Sequence, residues 1–141
     1  MRILLVAVLV MCLLAFASWA QNSLEIDRDD DGETDQWYEM RNGQVAQIRT
    51  DRNNDSKVDY VVRFGSHGLK VYEEYDYNYD GRMDDFYYYE KGVLQRQEID
   101  SNYDEAVDIW VYLHKGIYIR RYEMDTDYDG KVDRVVDYDN A

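Results

Sequence analysis

The chain has no proline, one cysteine and two histidines, and its 16 lysines and arginines face 30 aspartates and glutamates. Without proline every backbone amide can donate, so nothing interrupts a long series of strand ladders. A single cysteine, Cys12, excludes an intrachain disulfide. The acidic excess, a formal charge of −14, excludes nucleic acid as a partner, because phosphates would be repelled. Histidine is confined to His67 and His114, in turns of different repeats, where a surface residue is expected rather than a catalytic base. There is no His-Glu-x-x-His zinc site, no Gly-x-Ser-x-Gly elbow and no phosphate-cradling glycine loop. Nor does any segment place apolar residues at 3.6 spacing between helix caps, so helix is not expected.

The one apolar run is terminal. Met1-Arg2 precedes residues 3–14, and Ser18-Trp19-Ala20 puts small residues three and one before a cut after Ala20. Residues 1–20 therefore read as a cleavable signal peptide, too short for a membrane span, and the protein as secreted or periplasmic. Met11 stands before Cys12 where a lipid-anchoring signal needs a small residue. Cleavage removes Arg2 and the only cysteine, leaving residues 21–141 as one domain with a formal charge of −15. Such acidity suits a disordered chain, but 15 tyrosines, with Trp37, Trp110 and Phe86, argue for a folded one.

What the chain has in abundance is a nine-residue acidic loop, which occurs five times, opening at Asp27, Asp51, Asp76, Asp100 and Asp125. Between loops, runs such as Gln36–Met40, Tyr60–Phe64 and Ile109–Leu113 lead into a Gly-containing turn and a second run such as Gln44–Thr50. Run, tight turn, run is the hairpin signal. The expected fold is all-β: an antiparallel meander of about ten strands built from hairpin repeats of 24 or 25 residues. It should form a curled sheet, a barrel or a two-layer arrangement, because a flat single layer would leave its apolar face wet. Alternation places Ile26, Thr50, Tyr75, Ile99 and Met124 on one face, with Tyr38, Val62, Tyr87, Val111 and Val136. Glu25, Arg49, Glu74, Glu98 and Glu123 fall on the other, wetter face.

The loop residues point to a hard divalent cation, Ca²⁺ above Mg²⁺, held by oxygen ligands at alternate positions. The candidate ligands at positions 1, 3, 5 and 9 are Asp27, Asp29, Asp31 and Asp35 in the first loop, and Asp51, Asn53, Asp55 and Asp59 in the second. The third has Asp76, Asn78, Asp80 and Asp84; the fourth Asp100, Asn102, Asp104 and Asp108; the fifth Asp125, Asp127, Asp129 and Asp133. Solvated acidic turns would explain one such loop, but not five in register. Gly32, Gly81 and Gly130 stand at position 6, where the backbone bends sharply, and Ser56 and Glu105 replace glycine in loops two and four. Loops one, three and five are accordingly expected to bind most strongly. Position 12 is Tyr38, Val62, Tyr87, Val111 or Val136, so the closing glutamate of a helix-loop-helix hand is absent.

These loops resemble the Asp-x-Asp-x-Asp-Gly-x-x-Asp calcium loops of integrin α-subunit propeller repeats, the FG-GAP type. The whole unit over residues 23–140 is similar to that of secreted bacterial repeat proteins, although the hairpin is too short for a four-stranded propeller blade. The resemblance implies calcium binding with a structural or binding role and no catalysis. Tyr77, Tyr79, Tyr103 and Tyr128, at loop positions 2 and 4, either shield neighbouring loops or form a platform for an envelope glycan or another extracellular protein. A small hydrolase using paired loop carboxylates is the alternative from another class.

Overall fold

The computed structural model describes residues 23–138. The expected signal peptide lies outside them. The chain is ten antiparallel strands in sequence order: β1 Ser23–Ile26, β2 Gln36–Arg41, β3 Gln44–Thr50, β4 Tyr60–Phe64, β5 Lys70–Tyr75, β6 Asp85–Glu90, β7 Val93–Ile99, β8 Ile109–His114, β9 Tyr118–Met124 and β10 Arg134–Asp137. Each strand pairs with its sequence neighbours, giving one sheet ordered β1 to β10. Among the described residues no helix is long and apolar enough to cross a membrane.

The sheet is open. Of the three arrangements expected from the sequence, the single sheet forms and not the barrel or the two-layer arrangement: β1 and β10 are its two edges, and the contacts between elements run between neighbouring strands. Long side chains do the covering that a second layer would have done. Across each face, tyrosine, tryptophan and arginine lie over their neighbours. The Arg63 guanidinium is 4.8 Å from the Tyr72 ring centre, that of Arg96 4.3 Å from Tyr88 and that of Arg49 5.6 Å from Trp37. Tyr60 and Tyr75 pack at 4.5 Å on the opposite face. In this setting Val61 and Val62, on opposite faces of β4, are 5% and 3% exposed without a second sheet.

Three of the four hairpin turns, Asn42-Gly43, Lys91-Gly92 and Lys115-Gly116, have positive φ at both residues, which matches the twist of the flanking strands. Next to every turn the register slips by one residue, between Glu39 and Met40, Arg63 and Phe64, Tyr88 and Tyr89, and Tyr112 and Leu113. The bulge has a purpose that strict alternation hides. It brings Val45 opposite Met40, Leu94 opposite Tyr89 and Ile119 opposite Leu113, moving three apolar side chains onto the apolar face.

That face also carries a buried acid. Glu73, 3% exposed, sits between Val62 and Tyr87 and accepts hydrogen bonds from Tyr60 (2.6 Å), Lys70 (2.5 Å) and the Tyr89 hydroxyl. Burial pushes its pKa up, but these donors outweigh it and hold the carboxyl below its usual value.

Candidate metal centre

All five acidic loops lie at one end of the strands, and the hairpin turns at the other. Each is wound by its own carboxylates. At position 1, Asp27 accepts from the amides of Asp30 (2.7 Å) and Gly32 (2.8 Å). Asp51 accepts from Asn54 and Ser56, Asp76 from Tyr79 and Gly81, Asp100 from Tyr103 and Glu105, and Asp125 from Asp129 and Gly130. At position 9 the closing aspartate reaches back to the start of its loop. Asp35 accepts from the Arg28 amide, Asp59 from Arg52, Asp84 from Tyr77, Asp108 from Ser101 and Asp133 from Thr126. Position 5 accepts from the amide at position 7 in every loop, from Glu33, Lys57, Arg82, Ala106 and Lys131.

This winding needs left-handed backbone at positions 4 and 6. Position 6 has φ of 95°, 97° and 84° at Gly32, Gly81 and Gly130, and 67° and 75° at Ser56 and Glu105. The loops without glycine therefore take the same turn, with the same bond from position 6 to position 1, at a cost in steric strain. The contacts between loops account for the two replacements. The side chain at position 7 of each of the first three loops reaches the next loop: Glu33 accepts from Ser56 (3.0 Å), Lys57 donates to the Asp80 carbonyl (3.2 Å), and Arg82 pairs with Glu105. Ser56 and Glu105 are thus the partners that glycine could not supply. Nothing in a single loop reveals this; position 7 of one copy has to be read against position 6 of the next.

In three loops carboxylate oxygens converge. One ligand atom from each of Asp27, Asp29 and Asp35 lies within 4.8 Å of the others, and so do those of Asp100, Asp104 and Asp108, and of Asp125, Asp127 and Asp133. Loops two and three carry Asn53 and Asn78 at position 3, so their third oxygen would be an amide carbonyl. Asp31 stands outside the group of its loop, and Asp129 outside its own, where it pairs with Lys131 at 2.8 Å. Asp55 and Asp80 hold the position-7 amides of loops two and three, and the Asn102 amide donates to Asp104 at 3.0 Å. Convergence at loop four, which lacks glycine, and its absence among the carboxylates of loop three, which has it, follows a different order from the glycine count.

Burial makes these carboxylates costly. Asp35, Asp51, Asp59, Asp76, Asp84, Asp100, Asp108 and Asp125 are all buried, with 1% to 4% exposure. Burial pushes Asp59 and Asp84 above the ordinary carboxylate range. Asp29 is raised by burial and by the neighbouring Asp31 charge, and Asp127 by the charge of Asp129 and by burial. The Gly32 amide holds Asp27 below the usual value; at Asp125 burial opposes, and the Gly130 and Asp129 amides overcome it. One atom stands out. Oδ2 of Asp59 takes the Arg52 amide at 2.9 Å, and Oδ1 is buried with no hydrogen-bond partner.

The loop tyrosines are exposed. Tyr77, Tyr79, Tyr103 and Tyr128 show 40% to 52% of their surface, and Tyr77 stacks on Tyr75 with ring centres 5.3 Å apart.

No protein-family model matches the chain, and no curated protein does. Among solved structures the fold is similar to part of the crystal structure of accessory secretory protein 1,2 and 3 in Streptococcus pneumoniae. The identity is 14% and the TM-score 0.51, over 78% of this chain and 20% of that one. The chain therefore spans about a fifth of that neighbour's length, and the likeness shows the fold alone. Fold and loops together define the class: an all-β hairpin-repeat protein with a row of acidic loops at one end of the strands of an open sheet.

Proposed function

We propose that the protein is a secreted calcium-binding repeat protein, in which Ca²⁺ ions held by the acidic loops fix the junctions between consecutive hairpins. The observation that carries this reading is the Asp59 oxygen, buried and unpaired in a loop whose Asp51, Asn53 and Asp55 oxygens accept from amides of the same turn. A buried carboxylate oxygen without a donor is costly, and a cation held among the side-chain oxygens of the loop would give it a partner. Side-chain oxygens at positions 1, 3, 5 and 9, with a carbonyl at 7, supply the hard ligands that calcium prefers. Ca²⁺ would do its work by neutralising charge and joining strands. The position-1 aspartate follows one strand and the position-9 aspartate precedes the next, so each ion would tie two strands. No catalytic step is part of this reading, since these carboxylates already serve the backbone of their own loops.

Titration calorimetry of the chain with Ca²⁺ tests the proposal, with Mg²⁺ as the control. Calcium binding that Mg²⁺ does not match supports it, and no heat and no bound ion in equilibrium dialysis would refute it. A second reading, recognition of an envelope glycan or another extracellular protein, is favoured by the exposed tyrosines at the same end of the strands. Glycan-array binding that disappears when Tyr79 and Tyr103 become alanine would support it.

A further inference from the structure

Four times, the amide that opens an acidic loop donates to the carbonyl that closes the loop before it. Asp51 bonds Asp35 at 2.8 Å, Asp76 bonds Asp59 at 2.9 Å, Asp100 bonds Asp84 at 2.8 Å and Asp125 bonds Asp108 at 2.8 Å. These bonds form a spine along the row of loops, and the spine is unfinished at both ends. Among the described residues the amide of Asp27 and the carbonyl of Asp133 make no such bond. Burial follows the same pattern. The inner members of the series are buried, whereas Asp27 is half-buried and Asp133 exposed.

The strands are unfinished in the same sense. Among the described residues β1 stands where the repeat has its second strand and β10 where it has its first, and each has one neighbour. The two halves fit. In the register of the inner hairpins, β10 laid beside β1 pairs Arg134 with Ile26, Val135 with Glu25, Val136 with Leu24 and Asp137 with Ser23. Val135 opposite Glu25 repeats Val61 with Glu74, Phe86 with Glu98 and Trp110 with Glu123. Val136 opposite Leu24 repeats the apolar pairing of Val111 with Tyr122. The Tyr138 amide donates inward to Arg120, and the Ile26 carbonyl accepts from Asp35 on the β2 side. By strand alternation the main-chain groups of Val135 and Glu25 then face outward, away from their existing partners. Leu24 and Val135 are each 49% exposed.

We propose that copies of this chain associate head to tail, β10 of one against β1 of the next, with the Asp27 amide of the second copy completing the spine on Asp133 of the first. The contact joins two different edges, so it propagates along one direction and continues both the sheet and the row of acidic loops from copy to copy. Each edge is four residues long. Short edges limit affinity, so association is reversible and depends on concentration.

Sedimentation velocity of the full chain over a wide concentration range tests this. The weight-average mass should climb to at least twice that of the monomer. Val135→Pro removes an outward-facing amide from one edge and Glu25→Pro does so on the other, substitutions that edge strands tolerate. Each variant alone should stay monomeric with an unchanged β spectrum, while an equimolar mixture should form a dimer and nothing larger, since each supplies one intact edge. Should proline unfold either chain, the Val135→Arg, Glu25→Arg double variant puts like charges opposite each other and should be monomeric. A wild type that is monomeric throughout, a variant that associates like the wild type, or a mixture that grows beyond the dimer overturns the proposal.

Discussion

Asp59 has one oxygen tied to the Arg52 amide and the other buried and unpaired, and the two facts pull a substitution in opposite directions. Without cations, Asp59→Asn removes a buried charge and should stabilise the fold by about 1–3 kcal/mol, the cost of an unsatisfied buried group. With Ca²⁺ present the same change removes a ligand and should lower the melting temperature relative to the wild type. Melting curves in chelator and in calcium check both signs; a change of the same sign in both conditions would refute the idea. The titration has a sign too. Burial holds Asp59 and Asp84 above their ordinary 3.8, so the cation-free folded state binds more protons than the unfolded chain. Their contribution to stability is therefore lost as pH rises from 3.8 through the folded values, and stays lost above that window. Asp27 and Asp125 act in reverse, adding stability above 3.8 that disappears as pH falls through their depressed values. In chelator, the Asp59→Asn, Asp84→Asn pair should remove the first contribution and leave the second. Stability of that variant should then fall more steeply on acidification than that of the wild type, measured by urea titration at each pH.

At the scale of the element, the hairpin is tied by groups from neighbouring strands. Glu73 on β5 accepts hydrogen bonds from Tyr60 on β4 and Tyr89 on β6, so it joins three strands on the apolar face. Glu73→Ala would strand two tyrosine hydroxyls at once and leave the half-exposed Lys70 to water. The expected loss is about 1–3 kcal/mol for each donor that water cannot reach, read as a drop in urea midpoint with an unchanged slope. A loss no greater than that of Glu90→Ala, an exposed change on β6, would show the cluster to be energetically idle. Between loops, the geometry gives loop four the convergence of Asp100, Asp104 and Asp108 that the carboxylates of loop three lack. Asp104→Ala should therefore reduce bound calcium at least as much as Asp80→Ala. Calorimetric stoichiometry settles it, and a loss confined to Asp80→Ala would support the ranking by glycine instead.

At the scale of the whole molecule, the described residues include two buried apolar side chains against eleven buried polar or charged residues, and the single cysteine allows no intrachain disulfide. Ions that bind only the native chain add RT ln(1 + [L]/Kd), about 2.7 kcal/mol per site at a hundredfold excess over Kd. Chelation should thus lower the melting temperature strongly, and an unchanged value in excess chelator would end the case for structural calcium. The loops sit at the junctions, so hydrogen exchange on chelation should begin at the spine amides of Asp51, Asp76, Asp100 and Asp125 before the hairpin-turn ends lose protection. Uniform loss across whole repeats would mean that the ions add stability without setting geometry.

Periodicity by itself determined the strands and the loops, because both depend on residues close in the chain. Alternating apolar residues, Asn-Gly or Lys-Gly turns and aspartate at alternate loop positions place all ten strands to within about two residues of the observed ends. That the side chains at positions 1, 5 and 9 turn into their own loops follows for the same reason, since each accepts from an amide two to seven residues away. Whether the apolar face would be covered was not a local question. Of the curled sheet, barrel and two-layer arrangement open to the sequence, the single open sheet forms, with Tyr60, Tyr75 and Tyr87 packed across strands on the apolar face and Arg63, Tyr72, Tyr88 and Arg96 on the other. The bulges, the Glu73 cluster, the bonds from position 7 to the next loop and the orphaned Asp59 oxygen were likewise decided by tertiary structure. Each joins or isolates groups on different strands or in different repeats, and a repeating sequence reads the same whether its copies stack, close or stand apart.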